Sequence, residues 1–268
     1  MQITEISSPS NELFKRWKTL DSAKGIRKTG EFFLMGEKII REFLKHCDSP
    51  ELSRFKIKAE IFCEDLKAIT PSYPAASKFK KISTFKLAKG LFNEIDFVGT
   101  HFNLLLLELP ELPSFDENSR AQGLELICPL GDPGNLGAVI RSALAFNASK
   151  VVLSEEAAFP FTPKVVKASA GAVLHLPLYR AGGLQNFAQK EIYALDMEGS
   201  DINSFRWPKD LRLLVGEEGP GLRDLKGVMK LKINTGAVES LNATVAASIA
   251  LYSYNQFISH IQPGRLPS

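Results

Sequence analysis

Apolar positions along the chain fall into two regimes separated by a stretch with neither helical nor strand period. Ahead of that stretch, apolar residues recur at helical spacing over Asn11–Leu20 and Glu37–Lys45. They also cluster into short strand-like runs at Phe32–Met35, Ala59–Cys63 and Asn103–Leu109. Behind it the alternation is more regular. Strands are predicted at Leu124–Cys128, Lys150–Ser154, Ile192–Asp196, Leu211–Val215 and Met229–Ile233, with helices over Leu136–Phe146, near Pro163–Ala170 and over about Asn242–Ile258. The intervening stretch, Pro110 to Gln122, is rich in Pro, Ser and charge and reads as a linker. The expected organisation is a small α/β domain over 1–112, a linker over 113–122 and a larger α/β domain over 123–268. Strands alternating with helices in the larger domain predict a mostly parallel sheet with helices on both faces.

In open parallel sheets, ligands bind beyond the carboxyl ends of the strands, so the loops after strands are the place to look for chemistry. Three stand out. Gly131-Asp132-Pro133-Gly134-Asn135-Leu136-Gly137 opens a helix whose N–H groups can face an anion, and Arg141 lies one turn beyond Gly137. Asn147 falls where that helix needs a left-handed residue. Gly216-Glu217-Glu218-Gly219-Pro220-Gly221 follows an apolar strand, and its glycines permit close backbone approach to a ligand. Asn234 to Thr244 precedes a helix rich in small residues, and there Ser240 or Asn242 is either a helix cap or a functional group. The fingerprints of a dinucleotide-binding fold and of a phosphate-cradling NTPase loop are both missing, which disfavours an oxidoreductase or an NTPase.

Composition narrows the setting. The three cysteines and four histidines show no ligand spacing, so neither a disulfide framework nor a metal site is expected. Leu104–Leu107, the most apolar short run, falls far short of the roughly 20 residues that cross a bilayer. Met1–Ser10 lacks the basic start and apolar core of a secretory signal, so no membrane association and a cytoplasmic location are expected. The net charge of +3 sits at the front, where 1–112 holds 18 basic against 15 acidic residues. Lys15, Arg16, Lys24, Arg27 and Lys28 form clusters of the kind that pair with RNA phosphates, although a solvated surface explains the charge equally well.

Taken in order, Asn-Leu-Gly-Ala-Val-Ile-Arg at Asn135–Arg141, Gly-Glu-Glu-Gly-Pro-Gly at Gly216–Gly221 and Ser-Leu-Asn-Ala-Thr at Ser240–Thr244 resemble the SpoU (TrmH-like) branch of the SPOUT RNA methyltransferases. The front segment, with Arg27-Lys28 followed by Phe33-Leu34-Met35, resembles the small RNA-binding domain that often precedes that branch. The resemblance implies an α/β domain closed by a trefoil knot and a homodimer with its sites at the subunit interface. It also implies an S-adenosylmethionine-dependent 2′-O-ribose methyltransferase acting on structured RNA. Ribosomal RNA is the first expectation and transfer RNA the alternative. A non-catalytic RNA-binding protein that keeps the fold is the competing class, and the complete set Asn135, Arg141, Glu218, Ser240 and Asn242 argues against it.

On this mapping the cofactor lies against Gly216, Gly219, Lys232, Ile233 and Leu241, with Glu218 shaping the wall. The chain departs from the family's usual Ile-Pro-Met with Lys232-Ile233-Asn234, and Thr244 replaces a common Ser. Arg141 has been cast as the base in such enzymes, yet a guanidinium with pKa above ~12 stays protonated. A bidentate clamp on the RNA phosphate, lowering the cost of charge on the ribose oxygen, fits its chemistry better. Asn135, Ser240 and Asn242 are then expected to orient the ribose and the loop.

Overall fold

The computed structural model describes residues 2–72, 82–187, 191–216, 227–238 and 240–261. It divides into two compact units, Met1–Glu111 with Phe159–His175, and Leu112–Ala158 with Leu176–Ser268.

The first unit carries a five-stranded mixed sheet of β1 (Ile3–Ile6), β2 (Glu31–Leu34), β3 (Ile57–Cys63), β4 (Ser83–Leu87) and β5 (Leu104–Glu108), in the order β1-β4-β3-β5-β2. β1, β4 and β3 run parallel, whereas β5 is antiparallel to both β3 and β2. The three strands expected from apolar runs are present. β1 and β4 are additional, and they escape notice because only Ile6 in one, and Thr84 and Leu87 in the other, are buried. Helices α1 (Glu12–Trp17), α2 (Ala23–Thr29), α3 (Glu37–His46) and α4 (Lys89–Ile95) bury Phe14, Trp17, Ile26, Phe43 and Phe92. Asn11 caps α1, its side chain accepting from Leu13 and Phe14. The buried Glu60 carboxylate is fully satisfied by the amides of Ile69 and Thr70, the Thr70 hydroxyl and the Asn103 carboxamide.

Phe159–His175, read from sequence as part of the rear domain, packs within this first unit and carries the short helices α6 (Pro163–Ala168) and α7 (Ala172–His175). Its Phe161 is fully buried, 5.0 Å from the Phe32 ring and 6.1 Å from that of Phe55. The Lys167 ammonium donates to the Val98 carbonyl, and Arg54 donates to that of Leu174. Gly171, at φ +84°, lies where an added Cβ would stand 3.0 Å from Ile39, so only glycine suits the position.

The second unit is built on a six-stranded sheet of β6 (Leu124–Cys128), β7 (Lys150–Leu153), β8 (Leu178–Arg180), β9 (Ile192–Asp201), β10 (Leu211–Leu214) and β11 (Val228–Lys232). The order is β11-β9-β10-β6-β7-β8, and every pairing is parallel. β6 and β10 are buried along their whole length, as strands covered on both faces must be. Two buried charges of opposite sign, Glu125 and Arg212, interrupt this apolar sheet. Glu125 on β6 stands in register between Lys150 on β7 and Arg212 on β10, 3.0 and 2.9 Å from their nitrogens. Arg212 also donates to the carbonyls of Glu117 and Ser119 and lies 4.9 Å over the Phe115 ring.

Those contacts decide the state of the stretch read as a linker. Phe115 is buried in the second unit's core with Ile127, Val152, Phe187 and Leu214, and the backbone at 113–115 exchanges hydrogen bonds with Arg180. The stretch is therefore tied to the second unit from its start. The knot implied by the resemblance turns on the path from β10 to β11, where 217–226 lies outside the described residues.

Candidate active site

Because the second sheet is parallel throughout, the loops after β6, β10 and β11 leave at the same edge. After β6 the chain enters α5 (Pro133–Ala145) at once, with Asp132 as N-cap and Pro133 in the first turn. The helix thus starts three residues earlier than expected, and Asn135 lies inside its first turn. There the Asp132 carboxylate accepts from the Asn135 amide at 2.8 Å. This corrects one expectation, since the protein's own carboxylate occupies the helix end offered to an anion. Arg141 is exposed two turns along, and its guanidinium pairs with no described residue. Asn147 terminates the helix at φ 58°, as anticipated.

After β11 the third loop leads into α8 (Ala243–Ile261). The Asn242 side chain accepts from the Thr244 amide at 2.9 Å, so its oxygen serves as the helix cap, one of the two roles left open by the sequence. Ser240 is exposed. Three polar rungs join α5 to α8: Thr244 Oγ1 to Asn135 Oδ1 at 3.3 Å, Ser142 Oγ to Ser248 Oγ at 2.8 Å, and Asn147 Nδ2 to Asn255 Oδ1 at 3.2 Å. Residue numbers rise together along both helices, so they run parallel, and buried Ala143, Ala247 and Ala250 let them approach closely. The first rung brings Asn135 to the start of the third loop's helix, 109 residues away in sequence. Trp207 Nε1 donating to Ser253, and the Tyr254 hydroxyl donating to the Lys209 carbonyl, fasten α8 to the chain before β10.

Of the residues expected at the cofactor, Gly216, Lys232, Ile233 and Leu241 are all half-buried. Glu218 and Gly219 lie outside the described residues. Gly216 follows β10 and Lys232 ends β11, and both strands neighbour β9. This arrangement fits the cofactor implied by the sequence.

Between those strands the sequence reading missed a feature of β9. Its pairing with β11 jumps from Ala194↔Lys230 to Ser200↔Leu231, pushing Leu195–Gly199 out of the ladder. An added Cβ at Gly199 would stand 2.5 Å from the Leu231 nitrogen, so the return to the ladder admits no side chain. Lys230 pairs with Asp196 at 2.9 Å, and that hydrogen bond holds its ammonium above the ordinary lysine range. Beyond the bulge, Asn234, at the departure from the family pattern, donates to the Asp201 carboxylate at 2.8 Å. A break in strand register leaves no periodic signal, although the turn-forming Asp-Met-Glu-Gly-Ser in mid-strand was a cue.

The five front residues divide by their partners. Lys15 pairs with Glu12, Arg16 pairs with Glu31, and Arg27 lies 4.6 Å over the Phe159 ring. Lys24 and Lys28, four apart and so on one face of α2, are exposed and pair with no described residue. Among the described residues no group of His, Cys, Asp and Glu could hold a metal ion, and no helix is long and apolar enough to cross a membrane.

Comparison with known proteins gives the family. The model of the SpoU rRNA Methylase family matches residues 126–252. A Syntrophobacter fumaroxidans protein named ribosomal RNA small subunit methyltransferase G 2 is 35% identical over 98% of this chain, which spans only 51% of that relative. The 23S rRNA (guanosine(2553)-2′-O)-methyltransferase RlmP of Bacillus subtilis is 28% identical, with 92% of this chain and 98% of the relative covered. A protein of the TrmH tRNA/rRNA methyltransferase family from Staphylococcus epidermidis is 30% identical over 60% of this chain and 73% of its own length. Among solved structures, an AdoMet-bound rRNA methyltransferase from Sinorhizobium meliloti superimposes with a TM-score of 0.75 at 22% identity, covering 96% of this chain and 98% of that one. The fold is that of an α/β methyltransferase. The chain belongs to the SpoU (TrmH-like) family of RNA methyltransferases.

Proposed function

We propose that the protein transfers the methyl group of S-adenosylmethionine to a ribose 2′-hydroxyl of ribosomal RNA. The observation that carries this reading is the Thr244–Asn135 hydrogen bond, which brings the helix of Arg141 against the loop that ends the cofactor cleft. When bound, S-adenosylmethionine supplies an activated methyl with a good leaving group, so the protein's task is to position and activate the acceptor. Arg141, exposed and with no partner among the described residues, is available to grip an RNA phosphate with both arms of its fork. In this reading Ser240, also exposed, orients the ribose, while Asn135 and Asn242 hold the loop. Ribosomal RNA is preferred over transfer RNA because two full-length matches, one in sequence and one in structure, carry ribosomal names.

Lys24 and Lys28 on the front unit supply phosphate contacts that place the RNA without specifying the nucleotide. A homodimer is also proposed. Val245, Ile249 and Tyr252 form an exposed apolar stripe at helical spacing on α8, and Leu144 of α5 is exposed as well. Ile249→Glu is expected to convert a dimer to a monomer in analytical ultracentrifugation, and an unchanged sedimentation profile would refute the stripe as interface. The setting is proposed to be cytoplasmic, where its RNA resides.

Calorimetric titration tests the cofactor directly, with binding expected for S-adenosylmethionine and none for NAD. Methylation with a labelled donor, followed by mass-spectrometric mapping, is expected to place 2′-O-methyl in ribosomal RNA. Label entering transfer RNA alone would overturn the substrate, and binding of RNA without any label would favour the non-catalytic alternative.

A further inference from the structure

We infer that Asp201 and Asn234 are positioning residues, forming a clasp that sets the third loop for the methyl donor. The inference rests on reading that loop as part of the cofactor site. After the bulge in β9, pairing with β11 resumes at Ser200↔Leu231 and Asp201↔Lys232, and the Ile202 amide extends it with a bond to the Lys232 carbonyl at 2.9 Å. This brings the Asp201 carboxylate to the point where the chain leaves the sheet for the loop.

The carboxylate is held before it meets the loop. Its Oδ1 accepts from the backbone amide of Asn203 at 2.9 Å and from the Asn203 carboxamide at 3.1 Å. Its Oδ2 then accepts from Asn234 Nδ2 at 2.8 Å, a charge-assisted bond. The far end of the loop is fixed by the Asn242 cap and by Thr244 on Asn135, and its middle by Thr235 donating to the Val238 carbonyl. Among the described residues, Asn234 on Asp201 is the side-chain bond that fixes the near end. Lys232 and Ile233, the cofactor-facing residues, lie between the sheet and this clasp. Losing it frees the backbone next to the cofactor while the sheet and α8 remain in place.

The test uses the full chain and three variants, Asn234→Asp, Asp201→Asn and the two combined. Asn234→Asp replaces a donor with a second carboxylate, so it loses one bond and gains a repulsion. S-adenosylmethionine affinity is expected to fall about tenfold by calorimetry. The Michaelis constant for the donor should rise in step, while kcat at saturating donor and the unfolding midpoint stay within error. The combined variant reverses the polarity of the clasp, because an amide on position 201 donates to a carboxylate on position 234 while still accepting from Asn203. It is expected to recover affinity to within about threefold of the original protein, taking an exchanged hydrogen bond as nearly neutral. Unchanged affinity in Asn234→Asp, or no recovery in a folded combined variant, would overturn the clasp alone. Failure of the original protein to bind S-adenosylmethionine overturns the reading of the loops, and the clasp with it.

Discussion

Arg141→Lys separates two roles that a simple deletion would merge. Arg141 lies on the exposed face of α5, and its replacement removes no contact among the described residues. Stability should stay within ±0.5 kcal/mol of the original, the usual range for such surface changes, and the unfolding midpoint should barely move. The rate has a different dependence. If the guanidinium holds a phosphate with two parallel bonds and steadies charge on the adjacent oxygen, Arg141→Ala removes roughly 10²–10³ in rate, about 2.7–4 kcal/mol, as for a lost oxyanion donor. Lysine keeps the charge but offers no fork, so it should recover only part of that loss, leaving the rate about 10–100-fold down. Single-turnover methylation of ribosomal RNA, at saturating protein and donor, reads the chemical step without product release. A rate for Arg141→Lys near that of the original protein would refute the clamp. A large drop in unfolding midpoint would show instead that the residue is structural.

Other outcomes follow from features away from the acceptor. Arg212→Leu leaves buried Glu125 with Lys150 and the Gln122 amide but without its guanidinium, and strips the Glu117 and Ser119 carbonyls of their donor, so urea unfolding should show a loss of about 3–5 kcal/mol; a loss below 1 kcal/mol would contradict the charge ladder. Lys24→Ala with Lys28→Ala should weaken RNA binding and flatten its log–log salt slope by about 1.5 units, two phosphate contacts' worth, which filter binding at several salt concentrations would detect. Burial, with Asp210 adding to it, pushes the Tyr254 phenol up to about 12, so the unfolded chain ionises first. Its contribution is intact below pH 10 and falls away between pH 10 and 12, whereas Tyr254→Phe should lack this step in pH-dependent unfolding.

Legibility from sequence tracked how strongly each element is buried. β6, β10 and α5 stood out because their residues are apolar but for Glu125 and Arg212 in the two strands, or recur at a helical period, as parallel strands covered on both faces and a packed helix require. β1, β4 and β8 did not, since strands with only one or two buried side chains carry no alternation. In the site, Asn135, Arg141 and Ser240–Thr244 were found by motif, while Asp132 was passed over as turn chemistry though its carboxylate caps the helix. Asp201 was invisible for another reason. Its partner Asn234 is 33 residues away, and only the register break in β9 brings them together.

The placement of Phe159–His175 has a consequence for how the chain is made. The first unit lacks Phe161, the aromatic that fills the space beside Phe32 and Phe55, until about 50 residues after Glu111 have been synthesised. At 5–20 residues per second that is a wait of roughly 3–10 s, during which an apolar face stands open on the nascent chain. The N-terminal half therefore cannot reach its final packing ahead of the rest, and a ribosome stalled between the two segments would display a partly finished domain to the chaperones.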